Sequence, residues 1–225
     1  MKKLIFATGN ENKVKEIKMI MADMDYEIIS LKEAGIDVDI EEDGMTFEEN
    51  AIIKATAISK LTGELVLADD SGLEVDYLNK QPGIYSARYG GVDTSYAIKN
   101  QIIIDRLEGV AEEQRTARFV CAIAAVFPDG RVLTRTAAME GRIDYEQKGE
   151  NGFGYDPIFY LPEFGCTSAQ LSPEHKNAIS HRGKALRMMR EALLEEDRNA
   201  LNAENNTPVP VENEIEAGEN EGETV

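Results

Sequence analysis

Leu65-Val66-Leu67-Ala68-Asp69-Asp70-Ser71-Gly72 is the stretch on which the reading of this chain turns. Four apolar or small residues in a row suit a short strand covered on both faces. The run then breaks into two adjacent carboxylates, a hydroxyl and a glycine. In an open α/β sheet, ligands gather in the crevice beyond the carboxyl ends of the strands. Two acids placed there are costly unless a cation or a proton compensates them, and carboxylate oxygens suit hard Mg²⁺. An Asp-Asp pair also occurs in polar loops where one carboxylate caps a turn, so its surroundings have to decide.

The chain has 225 residues, enough for a sizeable core in one or two domains. With 42% hydrophobic and 29% charged residues it has the composition of a globular protein. No apolar run approaches the roughly 18 residues of a membrane span, and Met1 to Thr8 is too short for a signal peptide. Cys121 and Cys166 have no metal-ligand spacing and form no disulfide framework. A cytoplasmic location is therefore the expectation. The formal net charge of −18 argues against a nucleic acid or an anionic membrane as partner. Seven glutamates and no Lys or Arg fall between Leu201 and Val225, interspersed with Pro and Gly. Residues 199–225 therefore read as a disordered acidic tail behind a domain spanning 1–198.

Outward from the opening stretch, Lys2 to Thr8 reads as a first strand and Val14 to about Met24 as an amphipathic helix. Thr8-Gly9-Asn10-Glu11-Asn12-Lys13 joins them, a phosphate cradle if backbone amides and the lysine face an anion, although its glycine spacing is not that of a Walker loop. Tyr26 to Ser30 is a second strand, and Thr46-Phe47-Glu48-Glu49 is a capping box opening a helix that closes at Gly63. That helix carries Asn50 and Lys54, four apart. Ser95 to Leu107 reads as a helix. Arg115 to Phe127 and Arg131 to Ala138, joined by Pro128-Asp129-Gly130, form a long hairpin expected at a sheet edge or in a second lobe. Gly149 to Pro157 is a glycine-dense connection expected to leave Phe153 and Tyr155 exposed, where an aromatic offers a face for a base to stack on. Ser180 is placed to cap a final helix, with His181 and Arg182 at its N-terminus.

With these pieces in order, the chain resembles the inosine/xanthosine triphosphate pyrophosphatase family, the Ham1-like enzymes acting on non-canonical purine nucleoside triphosphates. The resemblance rests on Thr8-Gly9-Asn10 with Lys13, Asp69-Asp70-Ser71-Gly72-Leu73, Pro82-Gly83-Ile84-Tyr85-Ser86-Ala87-Arg88, Gly152-Phe153-Gly154-Tyr155-Asp156-Pro157 and Ser180-His181-Arg182-Gly183, and it covers roughly residues 1 to 195. It implies an α/β fold, an elongated mixed sheet with flanking helices forming two lobes around a central cleft, in a homodimer. It implies hydrolysis of dITP/ITP and XTP/dXTP to the monophosphate and pyrophosphate with Mg²⁺. Asp70 is then the catalytic carboxylate and, with Glu42, the metal ligand; Glu41 is the alternative beside the Gly44 turn, and Glu42 is favoured. Thr8, Gly9, Asn10, Glu11, Asn12 and Lys13 would meet the triphosphate, with Lys54 and Lys176 adding charge. Ser71, Phe153, Gly154, Tyr155, Asp156, His181 and Arg182 would hold the nucleotide.

Two other readings keep the same residues. A Maf-type pyrophosphatase would act on other nucleotides, and a non-catalytic nucleotide-binding module would use the cleft as a sensor. An acidic pair beside lysines speaks against the second, because phosphoryl transfer asks mainly for positioning and charge neutralisation.

Overall fold

The computed structural model describes residues 2–205. Seven strands form one mixed sheet in the order β2-β1-β3-β4-β5-β6-β7. They are β1 (Lys2–Phe6), β2 (Tyr26–Ser30), β3 (Leu65–Val75), β4 (Thr116–Val126), β5 (Val132–Ile143), β6 (Phe159–Leu161) and β7 (Cys166–Thr167). The helices are α1 (Glu11–Ile20), α2 (Phe47–Thr62), α3 (Tyr96–Arg106), α4 (Pro173–Ile179) and α5 (His181–Asn205). The whole sheet lies in the compact unit Met1–Ala192; of the second unit, Leu193–Val225, the described part is the end of α5. Residues 199–205 of the expected tail belong to that helix, and the rest of the tail lies outside the described residues. No described helix is long and apolar enough to cross a membrane.

Two expectations need correcting. β3 does not stop before the aspartates: it runs eleven residues, from Leu65 to Val75, with Asp69 and Asp70 in its middle. The reason is long-range pairing, since β4 runs antiparallel to it from Val66↔Val126 to Val75↔Ala117. Its parallel partner β1 is shorter and leaves at Phe6↔Leu67. The crevice therefore opens where β1 ends, while β3 continues through it. The β4–β5 hairpin, expected at an edge, is central instead: β4 is flanked by β3 and β5, and β5 by β6.

The long strands serve two cores in turn. Val66 and Ala68 of β3 pack with Ala51, Ala55 and Ile58 of α2 and with Ala124 and Val126 of β4. Leu73 and Val75 pack with Ile103 of α3, with Ala117 and Phe119 of β4, and with Met139 and Phe159. Between these clusters lies Asp69-Asp70-Ser71-Gly72. Burying such apolar groups contributes roughly 25 cal/mol per Å², and it clamps the polar stretch from both ends.

Helix starts follow side-chain chemistry. α1 begins at Glu11, three residues before the expected Val14, because the Asn10 side chain accepts from the amides of Asn12 and Lys13. The expected capping box is present, with Thr46 accepting from Glu49 N at 3.1 Å and Glu49 Oε2 from Thr46 N at 3.1 Å. Ser180 Oγ caps α5 by accepting from Gly183 N at 3.0 Å.

Gly72 marks the tightest approach in this region. A Cβ there would lie 2.4 Å from Ser86 Oγ, 2.5 Å from the Gly83 carbonyl oxygen and 2.9 Å from Phe47. Gly72→Ala should therefore overpack the strand and cost about 1–3 kcal/mol, seen as a lower urea-unfolding midpoint with an unchanged m-value. A midpoint equal to that of the parent would contradict the close approach.

Candidate active site

A strand sends successive side chains to opposite faces, and this separates the two aspartates. Asp69 faces α1 and α5. Its Oδ2 lies 2.9 Å from Lys13 Nζ and 3.2 Å from Arg182 Nε, and its side chain is wholly buried. Asp70 faces α2, accepting from Asn50 Nδ2 at 3.1 Å, with Lys54 Nζ 3.9 Å away. Two neighbours in sequence thus serve different machinery.

Asp69 is a counter-ion. Burial alone would raise its carboxyl pKa, but Lys13, then Arg182 and Lys54, hold it well below the usual carboxylate range. Arg182 is tied on three sides: besides Asp69, it donates from Nη1 to Glu16 Oε2 at 2.9 Å and from Nη2 to Ser71 Oγ at 2.9 Å. Its guanidinium also lies over the Phe153 ring, 5.6 Å from the centroid. Arg182 is expected to hold the nucleotide; its nitrogens are already spent on Asp69, Glu16 and Ser71, so its first effect is to fix the shape of the cleft floor.

Asp70 differs. Burial raises its pKa, Lys54 and Asn50 pull it back, and Glu42 and Asp69 raise it again, leaving it above the ordinary value. Lys54 Nζ also pairs with Glu42 Oε2 at 3.0 Å, so Glu42 and Asp70 converge on one ammonium. Asn50, 1% exposed, accepts from Gly44 N at 2.9 Å while donating to Asp70. One amide therefore joins the Gly44 turn, which follows Glu42, to the strand that carries Asp70.

The far end of the cleft is aromatic. Asp156 Oδ2 accepts from Phe153 N at 2.7 Å and pairs with Lys176, while Ser168 Oγ donates to Asp156 Oδ1 at 2.7 Å. Gly152 makes this turn possible, with φ at +75° and only 2.2 Å from the site of a Cβ to Asp156 Oδ2. Lys176 Nζ lies 4.9 Å from the Phe153 ring centroid. His181 stacks on Phe119 at 4.9 Å. Burial, reinforced by Arg182 and Lys176, drives its pKa well down, so the imidazole is neutral. Tyr155 is not exposed as expected: it is 3% exposed and donates from its hydroxyl to the Ser86 carbonyl at 2.8 Å.

Most of the expected site residues line one cleft of about 270 Å³. Asn10, Lys13, Glu42, Lys54, Asp70 and Ser71 line one part of it, and Phe153, Gly154, Tyr155, Asp156, Lys176, His181 and Arg182 another. Thr8, Gly9, Glu11 and Asn12 are not in that lining. Glu11 is exposed and lies 3.7 Å from Lys32, and Asn12 borders a neighbouring cavity. Thr8 acts within the turn, its Oγ1 accepting from Asn10 N at 3.2 Å. Asn50 and Glu16 also hold the site together, and the sequence reading assigned them no role; Asp69, read there as half of an acidic pair suited to a metal, is committed instead to Lys13 and Arg182. Asn50 left a trace, four residues before Lys54 on the same helix.

Removing the charge of Asp69 would leave Lys13 without its carboxylate partner and the buried Arg182 with Glu16 alone. Asp69→Asn should cost about 3–5 kcal/mol. A depressed carboxyl contributes stability above its unfolded pKa of about 3.9, lost as pH falls toward the folded value. The variant should therefore lose part of the acid limb of the stability curve. Urea unfolding of both proteins at neutral and acid pH reads both effects, and equal midpoints throughout would contradict the assignment.

Comparison with known proteins places the whole fold in a family. The model of the Ham1 family matches residues 4–192. The dITP/XTP pyrophosphatase of Desulforamulus reducens is 50% identical over 191 residues, covering 85% of this chain and 95% of that protein. That of Clostridium perfringens is 48% identical, covering 86% of this chain and 98% of its own length. Among solved structures, the Staphylococcus aureus Ham1 protein superposes with a TM-score of 0.80 at 43% identity, over 87% of this chain and 100% of that one. The HAM1 protein from Coxiella burnetii gives 0.81 at 42%, over the same shares. The chain belongs to the Ham1 family.

Proposed function

We propose that this chain is a nucleoside-triphosphate pyrophosphatase that takes non-canonical purine nucleotides, dITP/ITP and XTP/dXTP, to the monophosphate and pyrophosphate. One observation carries the reading: Glu42 and Asp70 converge on Lys54 in a cleft that also holds the Phe153 ring, with Lys176 and Arg182 within 4.9 and 5.6 Å of its centroid. The first part suits a phosphate chain, the second a purine. The relatives named as dITP/XTP pyrophosphatases support the substrate class.

Among the described residues no group of three or more His, Cys, Asp or Glu gathers to hold a metal. Two carboxylates fit Mg²⁺ all the same, because it is commonly held by one or two carboxylates together with substrate phosphates. Glu42 and Asp70 would hold it, and it would neutralise charge on the phosphates and the departing pyrophosphate. Lys54 and Lys13 add positive charge along the chain, and Asp70 orients and deprotonates the in-line water. Asn50 keeps that carboxylate aimed. On the family resemblance alone, the reading extends to a homodimer working in the cytoplasm.

Base choice follows from donors and acceptors. Hypoxanthine and xanthine carry a 6-oxo acceptor where adenine carries an amino donor. The amides in the first turn of a helix lack intrahelical partners, and those of His181 and Arg182 open α5 beside Phe153. Adenine would set a donor against donors, a mismatch worth up to about 10⁴-fold in kcat/KM.

The expected outcome is pyrophosphate release from dITP and XTP with kcat/KM at least about 10²-fold above ATP, abolished by chelation of divalent cations. Asp70→Asn should lower kcat by on the order of 10²-fold or more. Because the working form of Asp70 is ionised and its pKa in the free protein is raised, kcat/KM should fall as pH drops through that raised value. Equal turnover of ATP and dITP would end the base-selective reading, and near-parental activity of Asp70→Asn would end the assignment of the base.

A further inference from the structure

Every cation lining the cleft has an acidic partner except Arg88 among the described residues. Lys13 pairs with Asp69, Lys54 with Glu42, Lys176 with Asp156, and Arg182 with Asp69 and Glu16. Arg88 lines the same cleft, is exposed, and its guanidinium rests over the Tyr85 ring at 4.8 Å. That ring is itself 52% exposed, so the contact holds the head group only weakly.

The backbone that leads into Arg88 is, by contrast, firmly held. Ser86 Oγ accepts from Leu73 N at 2.9 Å and donates to the Gly83 carbonyl at 2.6 Å. The Ser86 carbonyl accepts from the buried Tyr155 hydroxyl at 2.8 Å. The next carbonyl, that of Ala87, accepts from Lys99 Nζ at 2.5 Å. Lys99 is 2% exposed and makes no ion pair among the described residues, resting instead 4.9 Å over the Tyr96 ring. Burying an ammonium without a carboxylate is costly. Here that cost fixes one carbonyl directly before an exposed arginine.

A pinned root and an uncommitted planar cation at the rim of an otherwise charge-balanced cleft form an anion clamp. We propose that Arg88 binds the terminal phosphates of the substrate, leaving the Tyr85 face to take a bidentate contact that its fork geometry suits. This rests on the pyrophosphatase reading and adds to it a substrate-binding residue. The four paired cations are each balanced by protein carboxylates; Arg88 adds positive charge that is not already matched.

The test uses the full chain, Arg88→Ala and Arg88→Lys, with dITP kinetics and calorimetric binding of pyrophosphate and of dIMP, all in Mg²⁺. Arg88→Ala should raise KM for dITP and weaken pyrophosphate on the order of tenfold or more, change kcat much less, and leave dIMP affinity and the melting temperature unchanged. Arg88→Lys should recover part of the loss, keeping charge without the fork. Unchanged KM and pyrophosphate affinity in Arg88→Ala would overturn the proposal. So would an equal loss for dIMP, or a lowered melting temperature, which would make the residue structural. If the parent protein released no pyrophosphate from dITP, the functional reading would fall, while pyrophosphate binding would still judge Arg88.

Discussion

The alternation of side chains along β3 is the constraint on which the site depends. Because Asp69 and Asp70 are consecutive on an extended strand, they cannot face the same side. Asp69 is committed to the ammonium and guanidinium beneath it. Asp70 is left to Asn50, Lys54 and the cleft. The alternation holds only while β3 stays extended through this stretch, and ten consecutive pairs with β4, Val66↔Val126 through Val75↔Ala117, keep it so. A loop in the same place, as the sequence pattern alone implies, would leave both carboxylates free to turn and neither reliably aimed.

The charges of the cleft are arranged before any substrate arrives. Arg182 reaches Glu16 on α1, Asp69 on β3 and Ser71 two residues on, so one buried guanidinium ties three segments. Its net contribution to stability is small for an ion pair in place and large once a partner is removed. What it gives the site is a fixed position for Ser71 beside Asp70. Lys54 acts similarly between Glu42 and Asp70. A cation shared by two like charges lets both carboxylates stay close to it.

Local chemistry made much of this fold legible. The capping box at Thr46, the close of α2 at Gly63 and the Ser180 cap rest on contacts a few residues apart and read correctly. The errors share a physical cause, which is distance along the chain. The aspartates look like the end of a strand because the partner that continues it lies about fifty residues on, as in Asp70↔Ala122. Tyr155 looks exposed in a glycine-rich stretch because the carbonyl that buries its hydroxyl belongs to Ser86. Arg182 reads as a free donor because Glu16, 166 residues earlier, has no sequence signal linking it to the arginine. Most side chains that line the cleft were recoverable from motif blocks. Those that position the actors were not, since an Asn or Glu on a helix face carries no mark of its long-range partner.

His181 shows how burial and charge combine at the aromatic end of the cleft. Its ring lies against Phe119 at 4.9 Å and is 6% exposed, with Arg182 and Lys176 close enough to oppose a further positive charge. A protonated imidazole there would face repulsion and desolvation together, so the ring stays neutral and keeps one donor and one acceptor nitrogen. Its Nδ1 is buried with no hydrogen-bond partner in the protein. An orphaned buried polar atom costs about 1–3 kcal/mol, a cost that persists unless a bound molecule supplies the partner. The ring therefore shapes the cleft wall through its stacking on Phe119, while Lys176 and Arg182 beside it are both engaged by protein carboxylates.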